Sequence, residues 1–222
     1  MSRSAIIVLV CLFAAGSVQA QSLMRTYRFI YSAAGYYGYS TNNSDVTLGA
    51  GATAGSKVDR EVLRFTTRDG YFVIPHLAVG GELFWDQAST RSVPDPNPLN
   101  YRNSVEERRL FVGPWVRWYT PASLRWYAAA ELSLGYWYAR SSAEESSAAF
   151  VLPRTLTIER GFGGNAGIAV GHMVTRNIGL DLTARYSMGW LQGEQMVAGS
   201  PDYDTETDFA EFSLLFGIQM LF

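Results

Sequence analysis

The chain has 222 residues, a formal charge of −2, 14% aromatic residues and a single cysteine, which excludes a basic nucleic-acid-binding domain and a disulfide framework. Lys57 is the only lysine, so nearly all positive charge sits on arginines, which suit fixed ion pairs better than a loosely solvated surface. No segment after residue 20 is apolar for the ~20 residues that a membrane helix needs, so any membrane crossing must use strands.

Residues 1–20 have the form of a secretory signal: Arg3 is the charged start, 5–15 the apolar run, and Ser17 to Ala20 a small-residue end suited to cleavage before Gln21. The apolar run is too short to span a bilayer core of about 30 Å. Cys11 lies within it, so the mature chain is expected to carry no thiol or disulfide chemistry. Cleavage removes Arg3 and leaves 17 basic against 20 acidic side chains, a formal charge of −3.

After the signal, segment 21–45 is open to two readings. Tyr27, Phe29 and Tyr31 alternate with Arg28 and Ser32, so 25–39 is a candidate strand. A second alternating run, 46–56, sets Val46, Leu48, Ala50 and Ala52 against Thr47, Gly49, Gly51 and Thr53. The next, 62–73, places Leu63, Phe65 and Tyr71 on one face and Arg64, Thr66 and Arg68 on the other, with Asp69 misplaced on the apolar face. Three further pairings follow across short turns: 62–73 with 77–86, 109–119 with 124–140, and 155–173 with 178–191. The last strand of these is the most regular, with Ile178, Leu180, Leu182, Ala184, Tyr186, Met188 and Trp190 opposing Gly179, Asp181, Thr183, Arg185, Ser187 and Gly189. Segment 208–222 closes the chain, with Phe212, Leu214, Phe216, Ile218, Met220 and Phe222 on one face.

Between the pairs lie polar connections, 88–106, 141–154 and 192–207. Short turns alternating with long polar loops, and strands longer than the usual five or six residues, predict an all-β fold: an eight-stranded antiparallel up-and-down transmembrane β-barrel. An even count takes either 46–56 or 25–39 as the first strand. The short hairpin from 46–56 to 62–73 favours 46–56, giving a barrel over 46–222 with 21–45 as an extra or first strand.

The polar faces then converge on one lumen, collecting Arg64, Arg68, Glu82, Asp86, Arg109, Arg117, Arg125, Glu131, Glu159, Asp181, Arg185 and Glu211. Both signs occur in similar numbers, and eight strands enclose a space that side chains just about fill. The expectation is an interlocked charge network rather than an open pore. Trp85, Trp118, Trp126, Tyr136, Tyr138, Tyr186 and Trp190 fall near strand ends on the outward face, as an interfacial aromatic belt would.

Gly70-Tyr-Phe-Val-Ile-Pro-His-Leu-Ala-Val-Gly80, the similar turn at 171–182 and the terminal aromatic resemble the outer-membrane β-barrel domain family, the small eight-stranded barrels of the OmpA/OmpX type. The resemblance implies a Gram-negative outer membrane, with lipid and lipopolysaccharide around the barrel. It also implies insertion by the barrel-assembly machinery, for which Phe216, Ile218, Met220 and Phe222 would form the signal. It implies no single activity, since members include adhesins, structural proteins, small pores and a few lipid-modifying enzymes.

His76 and His172 lie at short turns, away from the outer rim where a lipid-modifying enzyme or protease would need them, and no nucleophile elbow, phosphate loop or zinc spacing occurs. The run Asp202, Asp204, Glu206, Asp208 lacks a full calcium-loop pattern and reads as solvated charge. The reading is therefore a monomeric, non-enzymatic barrel without cofactor, metal or nucleic acid, acting structurally or through its extracellular loops. A small passive pore is the alternative, and a membrane enzyme ranks third.

Overall fold

Strands with one greasy and one polar face hide both sheet edges only by closing on themselves. The computed structural model does so with eight strands: β1 (Phe29–Thr47), β2 (Thr53–Ile74), β3 (Leu77–Asp95), β4 (Arg102–Pro121), β5 (Trp126–Ser146), β6 (Thr155–Met173), β7 (Ile178–Val197) and β8 (Tyr203–Leu221). Each pairs antiparallel with its sequence neighbours, and β1 meets β8 to close the barrel. The structure describes residues 29–47, 53–95, 100–121, 125–147, 153–197 and 202–222. The predicted signal segment lies outside these residues.

Two expectations are corrected. The first strand is β1, Phe29–Thr47, and not 46–56. Val46 and Thr47 end β1 and Thr53 to Ser56 begin β2, so the run taken for one strand is divided between two, and 48–52 lie outside the described residues. Conversely, adjacent Tyr36 and Tyr37 put aromatics on both faces of β1 and blur its alternation. Segment 21–45 thus enters the barrel from Phe29 onward. The second correction concerns the long loops. Most of 88–106 and 192–207, and residues 141–146 of segment 141–154, continue the strands, because a backbone ladder needs no hydrophobic alternation once the strand has left the membrane.

The strands run 19 to 22 residues. At a barrel tilt of ~40° each residue climbs about 2.5 Å, so a strand stands about 50 Å tall, roughly twice the ~25 Å apolar band of such barrels. The outward apolar residues mark that band on the half nearer the short turns: Leu63, Phe65 and Tyr71 on β2, Leu132, Leu134 and Tyr136 on β5, Leu182, Tyr186 and Trp190 on β7, and Phe212 to Phe222 at alternate positions on β8 are all exposed. So continuous an apolar surface is foreign to a water-soluble monomer and native to a lipid-facing wall. Trp85, Trp118 and Trp126 join the band, and Tyr138 carries the Arg160 guanidinium 5.9 Å from its ring centroid. Asp69 does face outward, opposite Gly81; acids on a lipid face cost less than arginine or lysine would.

At the turn after β6, the Thr175 hydroxyl accepts hydrogen bonds from the backbone N–H groups of Asn177 and Ile178, at 3.2 and 3.0 Å. Asn177 then holds the end of β8, its side-chain amide donating to the Leu221 carbonyl at 2.8 Å while its own carbonyl accepts from the Leu221 N–H at 2.8 Å. Phe29 and Phe222 exchange two backbone bonds of 3.0 Å, and the ladder runs from Ile30 opposite Leu221 to Gly35 opposite Phe216. It stops there, whereas β1 and β2 remain paired from Phe29 to Thr47. The closing seam is therefore short, and a cleft lined by Tyr36, Ser40, Arg64 and Phe212 opens above it.

Cysteines replacing Ala33 and Ile218, which face each other in the closed seam, are expected to form a disulfide on mild oxidation. Cysteines replacing Tyr39 and Phe212, which would meet if the ladder continued, are expected to stay reduced. Gel mobility before and after reduction reads both pairs, and efficient bridging of the second pair would mean a fully zipped seam.

Candidate functional site

The inward side chains stack in layers along the barrel axis. Nearest the short turns lies an apolar floor of Ile30, Trp115, Tyr119, Tyr127, Met173 and Leu221. Tyr127 fits because residue 171 is glycine: a Cβ there would collide with the tyrosine ring.

Above the floor is the first charged layer. Arg68, Arg117 and Arg185 meet Glu82, Glu131 and Asp181, three charges of each sign, all buried. Glu82 Oε1 accepts from Arg68 Nε at 2.8 Å, Arg185 Nη1 at 2.7 Å and the Thr66 hydroxyl at 3.0 Å. Its other oxygen accepts from the Ser133 hydroxyl at 2.5 Å. Arg68 Nη2 reaches Glu131 at 2.7 Å, and Arg117 Nη2 reaches Asp181 at 2.7 Å, with its Nε 3.8 Å from Glu131. Five strands, β2 to β5 and β7, are thereby tied across the lumen.

An aromatic layer follows, made by Phe84, Phe111 and Trp137 with Leu191, Ala139 and Phe209. Trp137 touches three rings, with centroids 5.7 Å from Phe84, 4.9 Å from Phe111 and 5.1 Å from Phe209. It lies flat against a gap left by Gly163 and Gly189, where an added Cβ would approach its indole at 2.8 and 3.3 Å. The layer is coupled to its neighbours by cations stacked on rings: the Arg185 guanidinium is 4.4 Å from the Phe84 centroid, and that of Arg109 is 5.0 Å from Phe209.

The second charged layer is a four-membered ring. Arg64 binds Asp86 at 3.2 Å and Glu211 at 2.7 Å, and Arg109 binds the same two acids at 2.8 and 2.6 Å. Two positive and two negative charges again sum to zero. Glu211 is the most exposed member, with its side chain at 27%.

Of the residues read from the sequence as lumen charges, Arg64, Arg68, Glu82, Asp86, Arg109, Arg117, Glu131, Asp181, Arg185 and Glu211 are brought together. Arg125 is not: it lies exposed in the turn before β5, where its carbonyl accepts from the Met173 N–H at 2.7 Å. The alternation taken through 124–140 included a residue that precedes the strand. Glu159 is buried and inward but stands apart from both charged layers, accepting from the Thr207 hydroxyl at 2.7 Å. Phe216, Ile218, Met220 and Phe222 all stand exposed on the lipid face of β8. The aromatic layer escaped the sequence reading, which assigned bulky rings to the outward belt. Its signal was parity alone: Phe84 lies between Glu82 and Asp86, and Phe111 two residues from Arg109.

His76 and His172 pack beside belt tryptophans, 6.5 Å from Trp118 and 4.7 Å from Trp126 between ring centroids, at the short-turn end. Among the described residues no group of three or more His, Cys, Asp or Glu could hold a metal ion.

Removing one partner of a buried ion pair costs about 3–5 kcal/mol, because the other charge stays buried. Glu82→Ala strands both Arg68 and Arg185 and is expected to lower stability by at least about that amount. Arg64→Ala, in the more open upper ring, is expected to cost less. Denaturant unfolding followed by gel mobility measures both; an Arg64→Ala loss as large as that of Glu82→Ala would contradict this ranking.

No protein-family model and no curated protein matches the sequence. Among solved structures the chain is similar to the outer membrane protein OprG from Pseudomonas aeruginosa, at 12% identity over 90% of this chain and 99% of that one, with a TM-score of 0.48. It is also similar to the outer membrane protein AlkL, at 15% identity over 88% and 90% with a TM-score of 0.44. Ail, the attachment invasion locus protein of Yersinia pestis, is similar at 13% identity over 89% and 100%, with a TM-score of 0.38. Its own closed sheet and continuous lipid-facing band make this chain an eight-stranded antiparallel transmembrane β-barrel.

Proposed function

We propose that this barrel does not conduct, and that it acts as a structural and surface-interaction element through the strand ends and loops standing outside the bilayer. The observation that supports the reading is the stack of two neutral ion-pair layers around a buried aromatic layer, which occupies the waist of the lumen. A passive pore needs a continuous polar path, and Phe111 and Trp137 interrupt it with almost no exposed surface. The working face is then the extracellular half, where β2, β4 and β8 present Lys57, Arg60, Glu106, Arg108, Asp204 and Glu206 to solvent. Charge that stands above a fixed scaffold suits recognition of a partner rather than chemistry on it. Catalysis has no support in the placement of the two histidines.

The partners on this reading are outer-membrane lipid and lipopolysaccharide around the belt, and the assembly machinery during insertion. Phe216, Ile218, Met220 and Phe222 form the outward edge of the closing strand and serve as its assembly signal. The chain works as a monomer.

Purified protein in planar bilayers is expected to give no steady single-channel current, whereas stepwise, reproducible conductance would establish the pore. Deleting Phe222 is expected to reduce heat-modifiable barrel in outer-membrane fractions several-fold, while refolding of the same variant into detergent stays near normal. Equal losses in both assays would make Phe222 a stability residue and remove its role as a signal.

A further inference from the structure

Above the upper ion-pair ring the lumen widens into a cup of ≈580 Å³, within the range of about 300–1,000 Å³ typical of small-molecule sites. Its floor is formed by Leu191, Phe209 and the Arg109–Glu211 pair, and its walls carry Ser141, Thr157, Glu159 and Thr205. These come from β4 to β8, which stay paired along their length, so the cup does not depend on the short seam beside β1.

Glu159 is the anomaly in this cup. It is 8% exposed, yet no arginine or lysine among the described residues forms an ion pair with it. Its one hydrogen-bond donor among the described residues is the Thr207 hydroxyl, at 2.7 Å. Arg109 is already committed to Asp86 and Glu211, and Arg160 sits on the opposite face over Tyr138. Arg108 and Arg140 border the cup but are exposed, and Arg108 lies 3.8 Å from Glu106. Nearby, the Thr205 hydroxyl is buried with no hydrogen-bond partner among the described residues. Glu107 and Glu206 add further negative charge at the rim. A buried carboxylate without a counter-charge is costly, and the charged layers below show how consistently this lumen otherwise avoids that cost.

We infer that the cup binds a small organic cation, an ammonium or guanidinium carried on an apolar group. Glu159 takes the charge, the Thr205 hydroxyl supplies a further hydrogen bond, and Leu191 and Phe209 receive the apolar part. A hard metal ion is disfavoured by ligand number: it would need six or more oxygens, and the cup brings one buried carboxylate. The inference rests on the closed waist only for its floor. A conducting lumen would be seen in bilayer recording, whereas failure of the cup is seen in binding alone.

The test uses the full barrel in phosphatidylcholine nanodiscs, titrated calorimetrically with benzylamine and with its neutral isostere, benzyl alcohol. Benzylamine is expected to bind saturably and benzyl alcohol far more weakly. Glu159→Gln is expected to weaken benzylamine by roughly tenfold or more, as loss of a buried charge partner does. Gln195→Trp, which fills the cup from a wall position, is expected to abolish binding with heat-modifiable migration intact. Thr205→Val is expected to weaken binding severalfold, and it decides the matter if Glu159→Gln fails to fold. Absence of benzylamine binding, equal binding of benzyl alcohol, or unchanged affinity in a folded Glu159→Gln or Thr205→Val protein would overturn the inference.

Discussion

A guanidinium moved from water into the interior of an eight-stranded barrel loses several kcal/mol of hydration, and only a well-placed acid returns it. Three such arginines stand together in the waist of this lumen, and three acids answer them one for one. The match is tightest at Glu82, whose two oxygens receive Arg68, Arg185, Thr66 and Ser133. Much of the rest follows. The strands must keep the register that brings Glu82 on β3, Arg68 on β2 and Arg185 on β7 to one point, because a slip of one residue would send each charge into lipid. The charged layers also determine where rings can go, since the aromatic layer is held between two neutral layers and stacked upon by a guanidinium from each.

The two ends of the barrel solve different problems. Toward the short turns, the floor of Tyr119, Tyr127 and Trp115 is apolar, and Asn177 ties the last residues of β8 to the neighbouring turn. That anchorage matters because β1 and β8 share only the ladder from Ile30 to Gly35. Away from the turns, the strands rise beyond the lipid band and become polar on both faces. There the ladders persist without a hydrophobic face to protect, and the lumen opens into the cup around Glu159.

The fold was legible because most strands alternate within the membrane, with Asp69 on β2 an exception, and β7 illustrates it throughout from Ile178 to Trp190. The charged layers were legible for the same reason: residues two apart on a strand share a face, so Arg64 and Arg68, or Asp181 and Arg185, must enter the lumen together. What was hidden followed from the same rule. Tyr36 and Tyr37 mask the alternation of β1, and the small residues of 46–56 alternate as one strand although their described ends belong to two, β1 and β2. The polar upper strands carry no period at all, so they read as loops. Arg125 shares the parity of Glu131 in sequence but belongs to a turn, where parity has no meaning. Trp137 and Phe111 needed the weight of their neighbours' charges against the habit of placing rings in the belt.

The central claim is that the waist is closed by arginines held out of water. Nitrogen-15 spectra of the protein in lipid bilayers, read at the arginine side chains, test it most directly. Arg68, Arg117 and Arg185 are expected to give resolved guanidinium signals whose protons exchange slowly with solvent, distinct from those of the exposed Arg108 and Arg140. Exchange of all five at the same fast rate would mean a water-filled lumen and would contradict the account.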